Sequence, residues 1–198
     1  MFGFDQQEGT IKDELLQLVG QTPEQTTDAL DMLDAGNSRY LKDMKVNIKN
    51  VLVSEHLSEK ETALLALSIA VNEQNAPLRA YFAQLAADKE ATAEEIAEAT
   101  ACASLLASNN VTYRFRHMIN KEGYNNLRMG IKMTIMGRPV TGKEFFELMS
   151  LAVSAVNGCE MCVGAHEESL IKLGATEARI WDAIRLSGVV VSLTKLVY

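Results

Sequence analysis

Three Ser/Thr-x-x-Glu boxes, Ser58–Glu61, Thr92–Glu95 and Thr141–Glu144, each stand at the head of an apolar run. In such a box the hydroxyl accepts from the backbone N–H three residues on and the carboxylate reaches back, so each box marks a helix start. They predict helices from Ser58 to about Asn72, from Thr92 to about Ser108, and from Thr141 to the Asn157-Gly158 reversal. A further helix begins near Cys159 and stops at Gly174, a residue suited to a C-terminal cap. A last helix starts near Glu177, and weaker patterns lie near residues 10–19, 23–34 and 38–53. Gly123-Tyr-Asn-Asn126 reads as a turn. Only three prolines interrupt the 198 residues. The expected fold class is all-α.

The chain looks internally duplicated. Ala70-Val-Asn72 matches Ala155-Val-Asn157 at an offset of 85. At an offset of 84, Thr92, Ile96 and Ala99 match Thr176, Ile180 and Ala183. This is a degenerate repeat of a helical unit, with Arg138-Pro-Val140 as the linker. On this alignment Gln74 and Pro77 stand where the second copy has Cys159 and Cys162. The division is therefore a scaffold half at about 39–137 and a catalytic half at about 138–198, within one helical domain, 39–198.

Composition excludes several classes. A hydrophobic fraction of 47% supports a core without covalent staples. A net charge of −7 argues against nucleic-acid binding, which needs clustered Lys and Arg. No run of 18 apolar residues is present, so no membrane span is expected; the apolar C-terminal stretch reads as a buried helix end. Met1–Glu8 has neither the charge nor the apolar run of a signal peptide. The expected location is the cytoplasm. Three cysteines make no disulfide framework.

Two of those cysteines lie in Asn157-Gly-Cys-Glu-Met-Cys-Val-Gly-Ala-His166. A Cys-x-x-Cys pair in such a chain is a redox dithiol or a metal clip. On a helix, Cys162 and His166 share a face one turn apart. A thiol with a base at that distance is an activated nucleophile, and Cys159 is placed to resolve what forms on it. Asn157 as helix cap would set both thiols at the positive end of the dipole, where thiolates are favoured. A closed zinc site needs about four ligands; Cys159, Cys162 and His166 supply three. Spacing and compartment favour redox over metal.

Glu147 lies in Phe145-Phe-Glu-Leu-Met-Ser-Leu-Ala-Val153, which is apolar nearly all round. Ser150 and Ser154 extend a narrow polar stripe from it. Glu147 lies roughly 15 Å before the Asn157-Gly158 reversal and His166 roughly 12 Å after Gly158, at 1.5 Å per residue. Either the two meet across antiparallel helices, or Glu147 occupies the one exposed strip of its helix. His56 reads as solvated, His117 as structural, and Cys102 and Trp181 as core.

The spacing Glu147, Cys159-x-x-Cys162, His166 resembles the signature of AhpD-type alkylhydroperoxidases, in the carboxymuconolactone decarboxylase-like superfamily. Leu41–Asn47, Asn109–Arg114, Leu127–Met133 and Phe146–Cys159 are similar to segments of that family. The likeness runs from about residue 40 to the C-terminus and leaves 1–38 as a variable N-terminal extension. The resemblance implies an AhpD-like all-helical fold and a homotrimer. It implies a thiol peroxidase that reduces organic hydroperoxides, has no tightly bound cofactor, and draws electrons from the dihydrolipoamide of lipoylated proteins. It also implies disulfide reductase activity toward a partner peroxiredoxin. By the same resemblance Cys162 attacks the peroxide and becomes a sulfenic acid. Cys159 supplies a proton and closes the disulfide, while His166 and Glu147 form the relay. Some members carry a histidine just before the second cysteine; here that residue is Met161, which transfers no proton. Two rivals remain: a decarboxylase-like lyase, which needs no dithiol, and a zinc-stabilised interaction module.

Overall fold

Two helices present no face to water, and the rest of the chain encloses them. In the computed structural model, which describes residues 9–198, every residue of Thr62–Ala70 and of Phe145–Ser154 is buried. The reading of Met1–Glu8 lies outside the described residues. A helix apolar all round belongs in a core. These two are α4 (Glu59–Asn72) and α8 (Lys143–Val156). α5 (Ala76–Asp88), α6 (Ala93–Ile119) and α10 (Glu177–Leu193) surround α4. α6, α9 (Glu160–Lys172) and α10 surround α8, and α4 and α8 touch. α1 (Ile11–Leu18) and α2 (Asp28–Ala35) precede α3 (Arg39–Val51), which packs on α1 and α10. α7 (Glu122–Asn125) is a single turn. No strand occurs among the described residues, and no helix is long and apolar enough to cross a membrane.

The boxes at Ser58 and Thr92 close in both directions. The Thr141 box does not form: α8 starts at Lys143 behind Gly142, at φ 88°. Glu98 is the reason. Its carboxylate is buried in α6, and a buried charge needs partners. It accepts from the backbone N–H groups of Val140 and Thr141, both at 2.7 Å, and from the Thr141 hydroxyl at 2.6 Å. Glu144 is taken by Arg179.

Other expectations are corrected. α6 continues eleven residues beyond Ser108, to a left-handed Asn120. α5 was not foreseen, although Asn75 caps it and Pro77 stands in its first turn. Trp181, expected in the core, is 63% exposed. The offset between the two helical runs is 84 throughout: Glu59 and Lys143, Ala76 and Glu160, Ala93 and Glu177 are matching helix starts. Asn75 and Leu78, not Gln74 and Pro77, therefore correspond to Cys159 and Cys162.

Arg179, in the first turn of α10, ties three elements together. It donates to Glu61 of α4 at 2.6 Å, to Glu144 of α8 at 2.8 Å, and to the His56 carbonyl at 2.6 Å. Its side chain is only 17% exposed. Burial pushes the Glu61 carboxyl up, but the hydrogen bonds and charge of Arg179 and the bonds from Ser58 together outweigh this and hold it below the ordinary range. Arg179→Met would leave two carboxylates facing each other without a cation. We expect a stability loss of about 2 kcal/mol in urea unfolding; a loss below about 0.5 kcal/mol would mark the cluster as an ordinary solvated pair.

Candidate functional site

The polar stripe of α8 is fully buried, so each member must find a partner. Glu147 is 5% exposed. One carboxylate oxygen lies 2.6 Å from His166 Nδ1; the other accepts from Lys143 Nζ at 2.6 Å. Ser150 Oγ is 3.6 Å from Cys102 Sγ, and Ser154 Oγ accepts from Asn110 Nδ2 at 2.9 Å. The chain reverses at Gly158, whose φ of 67° suits glycine. That reversal lays α9 against α8 and sets His166 on Glu147. Of the two readings of Glu147, the structure has the buried one.

Asn157 does not cap α9. Its side chain is spent on the reversal itself, donating to Asn110 Oδ1 at 2.9 Å and accepting from Asn72 Nδ2 at 3.0 Å. Arg114 also donates to its carbonyl at 2.5 Å. Cys159 is the N-cap residue, with no side-chain capping bond, and Cys162 is the third residue of the helix. The two sulfurs are joined in a disulfide, with Cα atoms 5.3 Å apart. Both residues are buried, while Met161 between them is 41% exposed.

Beside this pair lies a cavity of about 320 Å³. Cys162, His166, Asn109 and Tyr113 border it, and Leu106, Met133, Met136 and Met161 make the lining mostly apolar. With Nδ1–H donated to Glu147, a neutral His166 ring carries its free lone pair on Nε2. Burial drives the Glu147 carboxyl up, yet hydrogen bonds from His166 and Lys143 outweigh it and keep the group below its ordinary range. Cys102 is unsuited to chemistry: burial pushes its thiol up to about 12. His117 lies on the surface, 3.6 Å from Glu160, and His56 is exposed. Among the described residues no three His, Cys, Asp or Glu side chains are grouped to hold a metal ion.

Sequence reasoning overlooked Lys143 and the α6 residues Asn109, Asn110 and Arg114. Lys143 was findable, since it lies four residues before Glu147 on the same helix face.

Residues 124–197 match the model of the carboxymuconolactone decarboxylase family. Over 164 residues the chain is 37% identical to the alkyl hydroperoxide reductase AhpD of Anaeromyxobacter dehalogenans, covering 82% of this chain and 87% of that one. It is 34% identical over 162 residues to the protein of the same name from Streptomyces coelicolor, covering 82% and 90%. With the one from Coxiella burnetii identity is 36% over 160 residues, covering 79% and 90%. The chain belongs to the AhpD family of alkyl hydroperoxide reductases. Membership accounts for the all-helical architecture and for an oxidoreductase role of the alkylhydroperoxidase type.

Within this AhpD-family site, Lys143→Met removes one of the two groups that hold the Glu147 carboxyl down, so the carboxyl rises. A depressed carboxyl stabilises the fold above its unfolded value, near 4.5, and that contribution is lost as pH falls through the folded value. The variant should therefore be less stable than the parent at pH 7, and the gap should be smaller at about pH 3, below the unfolded value. Denaturant titrations at the two pH values test this. A gap that does not change with pH would mean that Lys143 acts only through its second bond, to the Met136 carbonyl at 3.0 Å.

Proposed function

We propose that the chain is a thiol peroxidase that reduces organic hydroperoxides at Cys162 and is itself reduced by disulfide exchange. The observation that carries this is the line Lys143–Glu147–His166, which ends on the cavity that Cys162 also borders. In the reduced protein His166 Nε2 takes the Cys162 proton. The thiolate attacks the terminal oxygen of R–O–O–H; the S–O bond forms, the O–O bond breaks, and the alkoxide leaves. Cys159 protonates that alkoxide to the alcohol. Its own thiolate then displaces hydroxide from the Cys162 sulfenic acid, and His166 returns its proton to make water. Two thiols and one hydroperoxide thus yield a disulfide, an alcohol and water.

Several features support the reading. Cys162 lies in the first turn of α9, where the helix dipole and unpaired amides favour a thiolate. The mostly apolar lining suits an organic peroxide over hydrogen peroxide, and equally a lipoyl arm. The proposed electron donor is dihydrolipoamide on a lipoylated protein, and a peroxiredoxin is the proposed disulfide partner, both in the cytoplasm. The proposed assembly is a homotrimer. Val111, Phe115 and Met118 form an exposed apolar stripe on α6, with Leu127 also exposed.

Turnover of cumene hydroperoxide, with lipoamide and thioredoxin systems as competing donors, tests the activity. Consumption should be faster with lipoamide than with thioredoxin. In Cys159→Ser a sulfenic acid should be trappable at Cys162. Trapping only on Cys159, in Cys162→Ser, would reverse the roles, and no consumption with any donor would end the reading.

Met161 carries no proton, so disulfide exchange should be efficient and hydroperoxide turnover modest. Met161→His should raise peroxide turnover while leaving reduction by dihydrolipoamide within about twofold. Unchanged turnover in a folded variant would show that Glu147 and His166 already complete the relay.

A further inference from the structure

Asn109 and Asn110 are adjacent on α6 and equally buried, at 3% and 1% exposure, but they use their amides differently. Asn110 donates to Ser154 and accepts from Asn157, each at 2.9 Å. Asn109 has only an N–H directed at the Met133 sulfur, 3.1 Å away, and a thioether is a weak acceptor. Its carbonyl oxygen is closed to solvent and has no hydrogen-bond partner among the described residues. A buried acceptor left unpaired is destabilising, and native folds keep few of them. This one belongs to a residue bordering the cavity that holds Cys162 and His166, otherwise lined largely by apolar groups.

We propose that Asn109 is the hydrogen-bond acceptor for the hydroperoxide O–H and so orients the terminal oxygen toward Cys162. The assignment rests on the reading that Cys162 attacks a hydroperoxide. A hydroperoxide R–O–O–H has a single donor, and it sits on the oxygen under attack. Holding that hydrogen on Asn109 leaves the O–O bond free to align with the incoming sulfur, while R lies against Leu106, Met133 and Met136. The terminal torsion of an asparagine is broad, so its amide turns without disturbing α6. Met133 is unbranched and yields easily. The dithiol of dihydrolipoamide has no O–H group, so Asn109 serves one half-reaction and not the other.

The test measures both half-reactions by stopped flow in Asn109→Leu, with Asn109→Ala as a second variant should leucine not fit. Oxidation of the reduced protein by cumene or tert-butyl hydroperoxide should slow at least about tenfold, and reduction of the oxidised protein by dihydrolipoamide should stay within about twofold. Equal slowing of both steps would show that Asn109 only supports the site's shape and would overturn the assignment. So would a folded variant oxidised as fast as an active parent. A parent protein that neither hydroperoxide oxidises would overturn the peroxidase reading itself, and the assignment with it.

Discussion

A carboxylate cannot lie inside a helix enclosed by core unless other groups meet it, and Glu147 lies in α8. Its two oxygens demand two donors, and they come from different directions: Lys143 one turn earlier on α8, His166 across the hairpin on α9. The same demand repeats along the stripe. Ser154 is met by Asn110 of α6, and Ser150 lies beside Cys102 of α6. The polar stripe of α8 thereby fixes the register of both neighbouring helices, which apolar packing alone would leave free to slide. The α6 and α9 walls of the cavity beside Cys162 are locked in this way, while Met133 and Met136 come from the segment that precedes α8.

What could be read from the sequence was what local chemistry decides. The boxes at Ser58 and Thr92 needed only residues three apart, and Gly174 only its own backbone freedom. The i, i+4 spacing of Cys162 and His166, and the similar depths of Glu147 and His166 about Gly158, needed only helix geometry. What escaped was decided by residues far along the chain. The Thr141 box has correct local grammar, but Glu98, 43 residues earlier, claims its threonine. Ending α6 near Ser108 left out Asn109, Asn110 and Arg114. Asparagine favours helix ends because its amide competes with the backbone. In the fold those amides are drawn away, Asn110's to Ser154 and Asn157 and Asn109's toward Met133. The part of α6 hardest to foresee is the part that borders the candidate site.

The two matching hairpins, α4–α5 and α8–α9, show how one of them differs in kind. Gln74 and Gly158 both turn the chain with positive φ, at 55° and 67°. In the first hairpin the next residue, Asn75, accepts from the Leu78 N–H at 3.0 Å, an ordinary N-cap. Its amide also donates to the Val197 carbonyl and so pins the C-terminal tail. In the second hairpin the same two positions are Cys159 and Cys162. A covalent S–S link joins the N-cap and third residue that a capping hydrogen bond joins in the first. Opening that link costs the helix its clamp without offering a side-chain oxygen in return, so the first-turn amides of α9 stay unpaired by any cap. Those amides, with the dipole behind them, are what a thiolate on Cys162 would face. Cysteine in place of a capping asparagine thus removes a competitor for the helix terminus and leaves that terminus to the residue three positions on, Cys162.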